Sequence, residues 1–120
     1  MAHKDDLGRA GEERAADELR RRGFSVVDRN WRCRAGELDI VAVRAGVIAA
    51  VEVKTRSGTA FGHPLEAIRS DKLRRLWRLA HLWAREHPDI ARGRRVRVDA
   101  MALVGRDPTK ASIDYVEDLR

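Results

Sequence analysis

Glu37–Arg44 reads ELDIVAVR and Val47–Lys54 reads VIAAVEVK, with Ala45-Gly46 between them. Both stretches are rich in Val, Ile and Ala, residue types that suit a pleated, buried surface, and the Ala-Gly step fits a tight hairpin turn. The pair predicts two neighbouring antiparallel strands. Side chains alternate across a strand, so Glu37 and Asp39 share one face of the first and Glu52 and Lys54 share one face of the second. If the two polar faces coincide, Asp39, Glu52 and Lys54 converge near the end of the hairpin opposite its turn. These are odd places for structural residues: Glu52 stands between Val51 and Val53, and Asp39 beside Leu38, Ile40 and Val41. A carboxylate buried there without a partner costs several kcal/mol, and two close together repel. A divalent cation answers both problems; a single ammonium answers them in part.

Outward from the hairpin the pattern is that of one α/β domain spanning residues 1–120. Residues 5–22 read as a helix, capped by Asp5 or Asp6 and ended by Gly23. Its apolar stripe runs through Gly8, Ala15, Ala16 and Leu19, and Glu12 lies on the same stripe. Phe24–Asn30 reads as a strand, and Arg32–Gly36 as a basic connection. After the hairpin, Thr55–His63 (TRSGTAFGH) has the Gly, Ser and Thr content of a mobile loop. Pro64 opens a helical region that reaches about Glu86, with a break near Ser70-Asp71 that would cap a second helix, and His87-Pro88 ends it. Leu73, Leu76, Trp77, Ala80 and Trp83 sit there at helical spacing, with Arg74, Arg75, Arg78 and Arg85 between them. Val96–Val104 and Ser112–Glu117 read as two further strands. The predicted order is α-β-β-β-α-β-β, a mixed sheet flanked by helices.

Composition narrows the class of function. Apolar residues make up 43% of the chain and charged residues 37%, which is charge-rich but globular. The net charge is +6 and Arg far outnumbers Lys, whose positions are Lys4, Lys54, Lys72 and Lys110. Arginine's planar fork suits phosphate oxygens, so the balance favours a polyanionic partner; a genome-wide Arg bias would give the same excess. The single cysteine, Cys33, excludes an intrachain disulfide and has no neighbouring His or Cys, so it is read as a bystander. Met1–Asp6 is polar, no signal-peptide core follows, and no apolar run approaches the roughly 20 residues of a membrane span. The expectation is a cytoplasmic protein without a membrane partner.

The cluster itself suggests chemistry. Mg²⁺ takes one or two carboxylates, keeps several waters and binds substrate phosphate. In phosphodiester cleavage such an ion activates a water and offsets the charge that develops at phosphorus. A lysine beside it orients the attacking water and stabilises that charge. ELDIVAV followed by EVK, with Glu52 and Lys54 thirteen and fifteen residues after Asp39, resembles the PD-(D/E)xK nuclease signature. Glu12 resembles the helical acid of the archaeal Holliday-junction resolvases in that superfamily. Beyond this, GRAGEERAADEL (Gly8–Leu19), NWRCRAGELDIVAV (Asn30–Val43), VEVKTRSGTAFGHPLEAI (Val51–Ile68) and the strand around Asp99 are similar to the bacterial YraN-like family of small proteins. The likeness runs over nearly the whole chain, to about residue 104.

That resemblance implies a restriction-endonuclease-like fold and a Mg²⁺- or Mn²⁺-dependent endonuclease, with DNA favoured over RNA and structure-selective cutting in view. Asp39 and Glu52 would hold the metal with the Val53 carbonyl as a third ligand, Lys54 would serve the water, and Glu12 would complete the shell or hold a second ion. Leu38 stands where the motif has proline, a position that lends rigidity and no chemistry.

The remaining polar residues admit two readings each. Glu37 is an outer ligand or the exposed end of a strand. Asp99, inside VRVDAMALV, is a metal ligand or meets Arg or Lys side chains across the sheet, and pairing is favoured. Thr55 and Arg56 grip a phosphate or belong to a solvated loop. Phe61 stacks on a base or anchors that loop. Lys72, Arg75 and the other helical arginines contact phosphates or form a solvated face. Trp77 and Trp83 belong to the core, and His63, His81 and His87 have no ligand spacing, which argues against zinc. Two other functions fit the same residues: a nucleic-acid-binding module without turnover that works with a partner protein, and a structural protein whose buried acids only make ion pairs. One domain has little surface with which to embrace a duplex, so a homodimer is expected, to be tested by sizing in solution.

Overall fold

Strands that are apolar on both faces need covering from both sides, which places ELDIVAVR, VIAAVEVK and VRVDAMALV in mid-sheet with helices above and below. The computed structural model describes the backbone of residues 2–60 and 62–120, with side chains from residue 8 onward. Its elements are α1 (Ala2–Arg21), β1 (Ser25–Cys33), β2 (Gly36–Arg44), β3 (Val47–Arg56), α2 (Ser70–Glu86), a short α3 (Pro88–Ala91), β4 (Arg95–Val104) and β5 (Ser112–Val116). This is the expected α-β-β-β-α-β-β order with α3 added, and with 3₁₀ turns at Pro64–Ala67 and Pro108–Lys110.

The strands form one sheet in the order β1-β2-β3-β4-β5. Only β3 and β4 run parallel, because α2 carries the chain back between them; the other neighbours are antiparallel. Ala15, Ala16 and Leu19 of α1 cover one face, against Ile40, Ala42, Ala49, Val51, Met101 and Leu103. Leu76, Leu79, Ala80 and Trp83 of α2 cover the other, against Val41, Val43, Ile48, Ala50 and Val98. No described helix is long and apolar enough to cross a membrane.

Several local expectations change. The first helix begins at Ala2, so Asp5 and Asp6 lie within it and not at its start, and their side chains lie outside the described residues. The glycine that matters for its packing is Gly11, not Gly8. A Cβ at Gly8 would meet nothing within 4 Å, whereas one at Gly11 would collide with the Thr55 hydroxyl. Helix α2 starts after Arg69 with no side-chain cap; Ser70 and Asp71 are its first helical residues, and Asp71 faces the positive end of the helix dipole. Strand β1 runs on to Cys33, because Arg32 and Cys33 pair with Glu37 and Gly36 and consume most of the expected connection. Trp83 is fully buried as expected and donates its indole N–H to Asp28 at 2.8 Å. Trp77 is only half-buried and donates to the Leu119 carbonyl at 2.8 Å. Cys33 is a free, half-buried thiol. Phe61 lies outside the described residues.

Asp99 is an ion-pairing residue, as favoured, but its main partner lies on its own strand. Arg97, two residues earlier on β4, donates to it at 2.8 and 3.0 Å. The Tyr115 hydroxyl of β5 and the Asp118 N–H complete its partners. Four donors on one wholly buried carboxylate satisfy it, and they fasten β5 and the C-terminal turn to the sheet.

Candidate active site

The site forms where the central hairpin opens. Strands β2 and β3 pair from Arg44↔Val47 to Ile40↔Val51 and no further, while β3 continues beside β4 to Arg56↔Val104. In a continued ladder Val53 would oppose Leu38. With β2 turned away, the Val53 N–H needs another acceptor, and Asp39 Oδ2 takes it at 2.9 Å. One hydrogen bond thus caps the broken ladder and fixes the carboxylate's aim.

Glu52 stands on the α2 side of β3, beyond Ile48 and Ala50, and is only 8% exposed. Lys72 Nζ, from the first turn of α2, lies 2.8 Å from Glu52 Oε2, and Lys54 Nζ lies 3.5 Å from the same oxygen. These groups line a cavity of about 340 Å³ together with Glu12, Gly36, Glu37, Val53, Arg75, Leu76 and Leu79. The parting of β2 from β3 lets α1 and α2, on opposite faces of the sheet, line one cavity.

Proton affinities follow from this crowding. Burial, then the charge of Glu52, pushes the Asp39 carboxyl up to about 7 against the opposing Val53 N–H. Burial also raises Glu12, although Arg29 and an Asn30 hydrogen bond pull the other way. Burial lowers Lys54, and neighbouring Lys72 adds to that. Burial works against the Lys72 ammonium too, but its hydrogen bond to Glu52 wins and holds the proton more tightly than usual. Acids inclined to keep a proton, facing lysines in one cleft, are the arrangement expected of a site built for charge chemistry.

The structure brings Glu12, Asp39, Glu52, Val53 and Lys54 together as expected from sequence. Lys72 and Arg75 join them, although both were expected only as phosphate contacts on the helix surface. The signal for Lys72 was legible: it lies one turn before Leu76, on the stripe that continues through Leu79, Ala80 and Trp83. Arg29 and Asn30 beside Glu12 were not foreseen. Glu37 is the exposed strand end of the two readings, paired with Arg32 at 3.0 Å across the β1–β2 register, although it also reaches the cavity rim. Thr55 and Arg56 are not brought to this cavity. Thr55 points to the opposite face, against Gly11, and Arg56 lines a separate cavity of about 310 Å³ beside His63 and Glu66.

Among the described residues, no group of three or more His, Cys, Asp or Glu side chains is close enough to hold a metal by itself. Two carboxylates and a peptide carbonyl are hard oxygen donors. They fit an ion such as Mg²⁺, which takes one or two carboxylates and fills its remaining positions with water and substrate.

A family model described as "Uncharacterised protein family UPF0102" matches residues 11–103, a span that contains every residue lining the cavity. The chain belongs to this family. A UPF0102 protein of Clavibacter michiganensis is 47% identical over 97% of this chain and 97% of its own length. One from Beutenbergia cavernae is 48% identical over 100% and 98%, and one from an Arthrobacter species 52% identical over 84% and 86%. The UPF0102 match covers Glu12 on α1 and Lys72 on α2 as well as the hairpin, so family and cavity coincide along the chain.

Proposed function

We propose that this UPF0102 member is a metal-dependent endonuclease that hydrolyses nucleic-acid phosphodiesters, DNA in preference to RNA. The observation that carries the reading is the meeting of Asp39, Glu52 and Lys54 in one cavity at the point where β2 leaves β3. The same residues carry the resemblance to PD-(D/E)xK nucleases. A bound Mg²⁺ or Mn²⁺ would supply Lewis acidity to the phosphate and a more acidic water. Asp39 and Glu52 would hold it with the Val53 carbonyl, and Glu12 would act from the far wall. Asp39 is already aimed by the Val53 N–H, and a bound cation would favour its ionised form. Lys54 rises from a rigid strand, so its ammonium is positioned to orient the attacking water and to offset charge on a non-bridging oxygen. Lys72 and Arg75 at the mouth supply phosphate contacts that fix the strand without reading its sequence.

The test is cleavage of labelled linear, single-stranded, flap and four-way-junction DNA in Mg²⁺, Mn²⁺ or EDTA, with Glu52→Gln in parallel. Metal-dependent cutting that disappears in the variant is expected. Full activity in Glu52→Gln overturns the assignment. A second reading, a nucleic-acid-binding module without turnover acting with a partner protein, is favoured by one observation: Glu52 is already neutralised by Lys72. It predicts salt-sensitive DNA binding with no cutting in either metal.

A further inference from the structure

Two ammoniums converge on a single oxygen, Glu52 Oε2, at 2.8 Å for Lys72 and 3.5 Å for Lys54. They differ in how they are held. Lys54 belongs to β3 in the floor of the site, with its side chain 20% exposed. Lys72 enters from the first turn of α2, is 31% exposed and reaches Glu52 from the solvent side. Lys72 is therefore the nearer cation and the one free to leave. Without a metal, Asp39 and Glu52 line one cavity together, and such a pair must be compensated by a proton or a cation. Lys72 supplies that charge.

We propose that Lys72 is a resident counter-ion that occupies the Glu52 end of the metal site and is displaced when a divalent cation binds, which releases its ammonium to the phosphate entering at the cavity mouth. The proposal rests on the metal-site part of the reading above and not on cleavage. A doubly charged ion replaces the ammonium at Glu52, and a flexible four-carbon stem lets the freed head swing a few ångströms towards Arg75, which lines the same mouth. Keeping Lys72 in place stabilises the protein without metal and weakens its hold on the ion. Placing it afterwards on substrate makes metal and polyanion binding mutually supportive.

Titration calorimetry with MnCl₂ tests this on the full chain, comparing wild type, Lys72→Met and Lys72→Arg, with thermal unfolding in EDTA alongside. Lys54 lies close enough to take over the Glu52 pair, so Lys72→Met should fold. The expected result is Mn²⁺ binding at least about tenfold tighter in Lys72→Met, equivalent to about 1.4 kcal/mol, with wild-type affinity in Lys72→Arg. A lower melting temperature in EDTA that Mn²⁺ restores should accompany it. Should Lys72→Met not fold, the proposal stands on Lys72→Arg: a bidentate guanidinium holds the carboxylate at least as well, so affinity equal to or below wild type supports it and tighter binding overturns it. Equal or weaker Mn²⁺ affinity in Lys72→Met overturns the proposal, as does absence of Mn²⁺ binding in every protein. A protein that binds Mn²⁺ as expected but cuts no nucleic acid would overturn the nuclease reading and leave this one standing.

Discussion

Asp39→Asn should make this protein more stable when no divalent ion is present. The wild-type carboxyl is held up at about 7 against an ordinary 3.8, by burial first and then by the charge of Glu52. A raised carboxyl favours the fold while protonated. That contribution is complete below about 3.8, declines as pH rises between the two values, and is lost above about 7. Each tenfold in acidity is worth about 1.4 kcal/mol, so the wild type forfeits at most about 4 kcal/mol at pH 8. Solvent at the cavity mouth screens part of this, and about 1–3 kcal/mol is the expected size. Asparagine mimics the protonated acid: its carbonyl can still accept the Val53 N–H and its amide can donate towards Glu52. Urea unfolding in EDTA should therefore find Asp39→Asn more stable than wild type by about 1–3 kcal/mol at pH 8, by less than half of that at pH 5, where the unfolded carboxyl is already ionised, and close to it only below about 3.8. Added Mn²⁺ should stabilise wild type increasingly through pH 7 and leave the variant unchanged. A variant no more stable than wild type at pH 8, or equally stabilised at pH 5, would refute the reasoning.

Two further outcomes probe the packing around the site. Gly11→Ala ought to gain about 1 kcal/mol from helix propensity, but its Cβ would strike the Thr55 hydroxyl and crowd Thr55 Cβ and Cγ2, both at 3.1 Å. Rotating Thr55 moves its hydroxyl but leaves its Cβ at 3.1 Å, so a net loss of about 1–3 kcal/mol is expected, whereas a more stable variant in urea denaturation would show that α1 or Thr55 can shift. Asp99→Ala strands Arg97, which is 7% exposed, and should cost about 3–5 kcal/mol; hydrogen exchange should show β5 opening first, and a loss under 1 kcal/mol would mean that Glu117, 2.7 Å from Arg97, is sufficient alone.

The hairpin, the helix on each side of it and the meeting of Asp39, Glu52 and Lys54 were legible in the sequence. Periodicity is a local property: a strand's alternation fixes which residues share a face, and a two-residue turn fixes which strand lies alongside. The same rule put Glu12 on the buried stripe of α1. What the sequence could not supply was anything that depends on where one element ends against another. Whether β2 and β3 stay paired past Ile40 depends on the geometry of the whole sheet, and that parting opens the cavity and hands the Val53 N–H to Asp39. The choice of Gly11 over Gly8 depends on how closely α1 approaches Thr55. Lys72 was visible as a cation on a helix, but its hold on Glu52 arises only when α2 is laid across the end of β3. Sequence determined the face each group occupies; tertiary structure decided which groups meet, because such meetings join residues far apart in the chain and no local period encodes them.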